Sequence, residues 1–258
     1  MITKTQQMAA QGATPRCEQC STRERCLFAA LPSPQYEHFR LLVRERTVAV
    51  GEEVEAQGVH AQTVGVVKVG LLKGLRSRPG DDGKTILLMG KGRLVGFTQP
   101  FGQPAVLSLV TITPTRICEV DVQAVRDIAM PSAHFQQAIY RTIAEFLACM
   151  ADWSRLLRED SFLTKVYCAL QLIAAEERSP SFRIPSHTEL ANVLGARRET
   201  IARHIAILID KGLFQKVDRW HGSLTSTDCH MFLERLAEED RLQIAVTPSD
   251  PASSHGGS

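Results

Sequence analysis

Two periods of apolar residues divide this chain. Between Thr47 and Val122 the apolar runs are short and β-like, and glycines at 51, 58, 65, 70, 74, 80, 83, 90, 92 and 96 interrupt them. Val64–Val69, Thr85–Met89 and Ser108–Ile112 are predicted strands. Arg78–Gly83 is a predicted hairpin loop between two of them. Short strands at this spacing predict a sandwich, barrel or roll. The period then changes. From Ser132 to Glu159 there is no proline or glycine, and Ile139, Ile143, Phe146, Met150, Trp153 and Leu157 recur at spacings of 4, 3, 4, 3 and 4. That is a heptad seam, and Pro131 stands where such a helix would begin. A helix of roughly 27 residues would run about 40 Å. Packing on its own domain would give the same stripe, but a regular seam on a helix crossing between domains favours a parallel dimer.

Further along, Ser161–Glu177 reads as a second helix, with Phe162, Val166, Ala169, Leu170 and Ile173 on one face. A loop at Arg178–Phe182 precedes Ser186-His-Thr-Glu189, a capping box in which Ser186 accepts from the Glu189 backbone and Glu189 reaches back. The helix it starts ends at Leu194. Gly195 makes a turn, a new helix runs from about Arg197 to Lys211, and Gly212 stops it. Two short helices around a glycine turn, with a supporting helix before them, predict a helix-turn-helix. Leu213–Thr227 reads as a two-stranded wing.

Composition adds limits. The chain has 258 residues, enough for two domains, and is 44% hydrophobic and 22% charged. Its net charge is only +2, so nucleic-acid binding must be argued from local residues. No apolar run is long enough for a membrane span. Met1–Arg16 lacks the apolar core of a signal peptide, which predicts a cytoplasmic protein.

The second helix of the helix-turn-helix begins Arg197-Arg-Glu-Thr-Ile-Ala-Arg203. Such helices enter the major groove of double-stranded DNA and read bases with their N-terminal residues. Arginine grips guanine O6 and N7 together, and a carboxylate accepts from cytosine N4. Arg198, Glu199, Thr200 and Arg203 are therefore the candidate reading residues. Arg197, at the N-cap, is a candidate phosphate contact. A solvated charged face would look the same in isolation.

Cys17, Cys20 and Cys26 stand at x2 and x5 spacing, and Cys118 lies on a predicted strand. In a reducing compartment clustered thiols bind metal more often than they form disulfides, and seven cysteines leave one unpaired in any case. Four thiolates suit an iron–sulfur cluster or a structural zinc. Cys149, Cys168 and Cys229 are better read as small buried hydrophobes or bystanders. The eight histidines show no paired metal spacing. No phosphate loop and no nucleophile–base signature occurs, so no enzyme is expected.

From Cys17 to about Leu236 the chain resembles the CRP/FNR superfamily of bacterial transcription regulators, through its glycine-punctuated strands, its seam helix and Arg198–Arg203. The resemblance implies an α+β chain: an N-terminal β-roll sensor of the cupin-like, cyclic-nucleotide-binding type, a long dimerisation helix and a C-terminal winged helix-turn-helix. The implied divisions are a tail and cysteine loop (1–26), the roll (27–130), the dimer helix (131–160), the winged helix-turn-helix (161–236) and a tail (237–258). The cyclic-nucleotide branch carries a Gly-Glu and an Arg-Ser pair. Here Gly96 is followed by Phe97, and no arginine lies between Phe97 and Arg116. No cyclic nucleotide is therefore expected. The FNR branch carries cysteines at x2 and x5 plus one on a roll strand, as Cys17, Cys20, Cys26 and Cys118 do. It implies a [4Fe–4S] cluster, oxygen response, a homodimer on an inverted-repeat promoter site, and RNA polymerase as a partner. A zinc or thiol–disulfide switch, or a small effector in the roll, stays open beside it. Arg198 and Ala202 differ from the FNR branch, which predicts a TGTGA-like half-site.

Overall fold

The structure, a computed structural model of the chain, describes residues 17–81, 83–179 and 181–225. It opens with three short 3-10 turns, Cys17–Gln19, Arg23–Arg25 and Leu27–Ala30, followed by α1 (Ser33–Arg40). Eight strands follow: β1 (Arg44–Val48), β2 (Glu53–Glu55), β3 (Thr63–Val69), β4 (Leu72–Arg76), β5 (Lys84–Met89), β6 (Leu94–Val95), β7 (Ser108–Thr111) and β8 (Thr115–Asp121). They form two antiparallel four-stranded sheets, ordered β1-β8-β3-β6 and β2-β7-β4-β5. α2 (Val122–Ala124) runs through a π-turn towards α3 (Ala133–Leu157). Then come α4 (Phe162–Glu177), β9 (Ser181–Arg183), α5 (His187–Leu194), α6 (Arg198–Asp210), β10 (Phe214–Lys216) and β11 (His221–Leu224). The last three strands make a small antiparallel sheet, β10-β11-β9.

Strand alternation gives the first sheet two apolar faces. Val48, Val67, Val95 and Ile117 belong to the core cluster that also takes in β4 and β5. Val64, Val66, Leu94, Cys118 and Val120 belong to a second cluster with Leu27, Phe28, Phe39 and Phe135. The N-terminal turns, α1 and the start of α3 thus cover the outer face. The first cluster continues without a break through Cys149, Trp153 and Leu156 of α3 into α4, α5 and α6. The helical unit therefore docks on the roll through a shared core, with α4 and α5 packed on β5.

Polar pairs cross the same junction. Arg93, after β5, is 7% exposed and Glu176, at the end of α4, is 4% exposed. Arg93 Nε donates to Glu176 Oε2 at 2.9 Å, Nη2 donates to Oε1, and the Gly90 N–H donates to Oε2 at 2.8 Å. Lys73 of β4 pairs with Glu189 of α5 at 3.1 Å.

Three expectations change. The heptad row Ile139, Ile143, Phe146, Met150, Trp153, Leu157 faces inward: Ile139 and Trp153 are buried, and the other four pack partly buried against the two clusters. α3 carries a second stripe one position further on, where Tyr140 is 70% and Leu147 60% exposed, with Ala144 and Ala151 also exposed between and beyond them. Periodicity marks both stripes, but the larger side chains go to the protein's own core. The capping box is only half made. Ser186 Oγ accepts from the Glu189 N–H at 3.1 Å, but the Glu189 carboxylate goes to Lys73. β1 and α1 were not expected, because Arg44-Glu-Arg-Thr-Val alternates charged residues with little apolar signal. The outer part of the expected wing, from 226 onward, and Cys229 lie outside the described residues.

Trp153 is fully buried where α3 meets both the roll and the helical unit. Trp153→Ala should cost about 3–5 kcal/mol, the usual range for emptying such a site. Urea unfolding followed by circular dichroism reads it, and a loss below about 1 kcal/mol would mean that Trp153 is not a pillar of the junction.

Candidate functional site

The three N-terminal cysteines sit at the joints of the 3-10 turns. Cys17 begins the first and Cys20 follows it, its N–H donating to the Cys17 carbonyl at 3.3 Å. Cys26 joins the second and third turns, with the Cys26 N–H on the Arg23 carbonyl and the Ala29 N–H on the Cys26 carbonyl. Leu27 and Phe28 are buried against the outer face of the first sheet, and the Phe28 and Phe39 rings lie 5.4 Å apart. The cysteine segment is therefore nailed to the sheet just after Cys26. On the sheet, Cys118 of β8 stands opposite Val66 of β3 and Glu45 of β1. Its alternation with Ile117 sends it to the outer face, and Cys17, Cys20, Cys26 and Cys118 line one pocket together with Arg23, Phe28, Tyr36 and Val43. Two sequence-distant pieces thus bring all four expected thiols together.

The surroundings of Cys26 and Cys118 disfavour bare thiolates. Burial pushes the Cys26 thiol up to about 11, with the Cys17 and Cys20 charges adding to the shift. Burial pushes Cys118 up to about 12, helped by Glu45 and opposed by Lys68. Four ionised sulfurs here need positive charge to hold them, which is what a metal centre supplies. One tetrahedral zinc, with Zn–S bonds of about 2.3 Å, draws its sulfurs to within about 4 Å of one another. Among the described residues no three Cys, His, Asp or Glu side chains are grouped tightly enough to hold one metal ion. A cubane spreads its four cysteines over four irons. Four thiol donors are the ligand set of such a cluster and of a structural zinc alike.

The charged stretch between Cys20 and Cys26 is structural, which composition alone did not reveal. Thr22 is buried and its hydroxyl donates to the Lys68 carbonyl at 2.9 Å. Arg23 donates to Tyr36 Oη at 2.8 Å and to the Cys17 carbonyl at 3.3 Å, with its guanidinium 5.0 Å from the Tyr36 ring centre. Arg25 donates to the Lys91 carbonyl at 3.3 Å and to Glu145 of α3 at 3.2 Å.

The second candidate surface is α6. Ser186 caps α5, Gly195 takes the left-handed turn, and Ile201, Ile205 and Leu208 anchor α6 in the core. Arg197, Arg198, Glu199 and Arg203 are all exposed and Thr200 is half-buried. His204 is half-buried: its ring meets Phe162 edge-on at 5.0 Å and its Nδ1 lies 2.7 Å from the Thr200 carbonyl. Nearby, Trp220 is half exposed between the guanidiniums of Arg183 and Arg219, at 5.5 and 4.9 Å. That cation–aromatic stack was missed, since one tryptophan in a polar turn carries no pattern.

No protein-family model and no curated protein matches the chain. Solved structures do. FixK2 from Bradyrhizobium japonicum is similar at 18% identity, over 76% of this chain and 96% of that one, with a TM-score of 0.62. The c-di-GMP responsive global regulator CLP from Xanthomonas campestris matches at 22%, over 76% and 100%, with a TM-score of 0.55. A CRP/FNR-family transcriptional regulator from Thermus thermophilus matches at 18%, over 76% and 98%, with a TM-score of 0.53. The mixed helix and antiparallel-sheet fold is therefore that of CRP/FNR transcriptional regulators. Among the described residues no helix is long and apolar enough to cross a membrane.

A thiol is reactive only as thiolate. In metal-free protein Cys26 and Cys118 should therefore alkylate slowly at pH 8 and speed up only as the pH nears about 11 and about 12. Because both values lie above the ordinary 9.0, their burial supports the fold below pH 9 and that support is lost as the pH rises through the folded values. Site-resolved mass spectrometry after iodoacetamide treatment reads the rates. Rapid labelling of both at pH 8 would mean that the pocket does not bury them.

Proposed function

We propose that this chain is an oxygen- or redox-responsive transcription regulator. Cys17, Cys20, Cys26 and Cys118 would hold a [4Fe–4S] cluster, and a homodimer would bind a palindromic promoter site on double-stranded DNA. The convergence of four thiols in one pocket carries the reading. When bound, the cluster supplies the oxygen-labile redox chemistry. The chain's own residues do the rest. Through the cluster the four sulfurs would tie the N-terminal turns to β8, and Arg25 ties those turns to α3 through Glu145.

The dimer would form on the exposed stripe of α3, Tyr140, Ala144, Leu147 and Ala151, because the inward row packs wholly or partly on the chain's own core. The winged helix-turn-helix would present α6 to the major groove. Arg198, Glu199, Thr200 and Arg203 would read base edges, with Arg197 on a phosphate. RNA polymerase is the partner such a regulator would meet at a promoter. Phe97 packs on Phe146 with ring centres 5.4 Å apart, which supports a reading without a cyclic nucleotide.

A second reading, a small organic effector, has one observation in its favour. An apolar cavity lies between the outer sheet face and α3, lined by Val64, Leu94, Phe97, Ile139 and Phe146. Arg93 also lines it, and its Nη1 is buried without a hydrogen-bond partner. That cavity sits outside the roll, not within it.

Selection of randomised duplexes by anaerobic protein tests the leading reading. The expected half-site is TGTGA-like, with centres about 34–36 Å apart. Arg203→Ala should cost on the order of 1–3 kcal/mol per half-site and flatten preference at one base pair. Air should weaken the selected binding in the wild type but not in Cys118→Ser. A single selected sequence with no repeat, or equal air response in both proteins, would contradict the proposal.

The dimer face makes a separate prediction. Leu147→Asp should shift sedimentation towards monomer without changing the thermal midpoint of the monomer, because a buried charge is costly only in the assembled pair. Unchanged assembly would place the interface elsewhere.

A further inference from the structure

The turn between β5 and β6, Gly90-Lys-Gly-Arg93, touches two remote parts of the molecule at once. On one side lies the cysteine loop. Arg25, whose side chain is 12% exposed, donates to the Lys91 carbonyl and packs over Gly92. Gly92 has φ +85°, and a Cβ there would lie 2.6 Å from the Arg25 Cβ. On the other side lies α4. Glu176 accepts from the Gly90 N–H and from Arg93, and a Cβ on Gly90 would meet the Glu176 Cβ at 3.2 Å. Between the two contacts the turn is closed by Arg93 N–H on the Gly90 carbonyl at 3.1 Å. It is bolted to β3 by Gly92 N–H on the Val67 carbonyl and Val67 N–H on the Arg93 carbonyl, at 2.8 and 2.9 Å. At Gly92 only a missing side chain lets the neighbour approach, and at Gly90 a side chain would press on Glu176 unless it gave way by a few tenths of an ångström.

We infer that this four-residue turn is a mechanical junction that couples the cysteine loop to the helical unit bearing α6, by a route separate from the Arg25–Glu145 contact with the dimer helix. Arg25, Arg93 and Glu176 are its positioning residues. The inference rests on the proposed function for its purpose but not for its geometry. A buried guanidinium and carboxylate must stay paired, because either one alone is costly in the interior. The turn is the only piece of the roll that offers Glu176 both a guanidinium and a free N–H among the hydrogen bonds described. The same turn supplies the carbonyl and the glycine surface that Arg25 needs. Seating the cysteine loop and seating α4 are thus conditions on one small structure, and a change in either biases the other. Coupling of this kind is reciprocal.

Hydrogen exchange of the full-length protein, read by mass spectrometry, tests the junction without DNA. Glu176→Gln keeps the side-chain size and removes the charge. It should speed exchange of the Arg23, Arg25 and Cys26 amides by at least about tenfold, although Glu176 touches none of them. In the reverse direction, Arg25→Ala should speed exchange in the last turn of α4, at Ala174–Arg178. Lys73→Met is the control: it breaks the other ion pair across the junction and should leave the cysteine loop unmoved. Should Glu176→Gln fail to fold, Arg25→Ala decides, read beside Glu145→Ala, which removes only the contact of Arg25 with α3 and should leave Ala174–Arg178 unmoved. The inference is overturned if each substitution loosens only its own surroundings, or if Lys73→Met loosens the cysteine loop as much as Glu176→Gln does. Iron is assayed on the same samples. Coupling in a protein that binds no iron would sink the iron–sulfur reading and leave the junction standing, and iron binding without coupling would do the reverse.

Discussion

The outer face of the first sheet has to be covered, and most of the functional geometry follows from how that is done. Val64, Val66, Leu94, Cys118 and Val120 form an apolar surface that water would otherwise wet. Leu27 and Phe28 supply part of the cover, and Phe39 of α1 and Phe135 of α3 supply more of it. Because the covering segment carries Cys17, Cys20 and Cys26 immediately before Leu27, the requirement to bury two apolar side chains also delivers three thiols to the fourth. Cys26 and Cys118 then pay in desolvation, and their raised values record it. The pocket is stable when they are neutral or when positive charge is brought to them.

The inner core imposes the second constraint. It does not stop at the domain boundary but runs from the roll through Trp153 into α4, α5 and α6. A helical unit docked through a continuous core has few ways to shift, so its polar contacts with the roll matter more than their number suggests. Arg93–Glu176 is deeply buried, whereas Lys73–Glu189 is partly solvated. Removing one partner from the first leaves a buried charge, and removing one from the second does not.

Much of this was legible in the residues. The cysteine spacing, the glycine-broken strands of the roll, and the Ser186 cap with the Gly195 turn are local signals, and each has a direct physical cause in the fold. The exposed face of α6 was legible too, because Ile201 and Ile205 at helical spacing fix which side Arg198 and Arg203 take. The heptad row on α3 packs, wholly or in part, on the chain's own core, since spacing reports that a stripe is buried and not by what. Glu189 shows the same limit. Its position fits a capping box, yet Lys73, far off in sequence, competes for the carboxylate and holds it. Arg25, Glu145 and Glu176 gave no signal at all, because their roles exist only after chain segments remote in sequence have met.

The central claim is that four thiols gathered on one sheet face hold one iron–sulfur cluster. The direct measurement is iron and acid-labile sulfide per chain in anaerobically purified protein, with its absorption spectrum. The account predicts a brown protein absorbing broadly near ~400 nm with about four irons and about four sulfides per chain. A colourless protein carrying about one zinc per chain, or no metal at all, would contradict it.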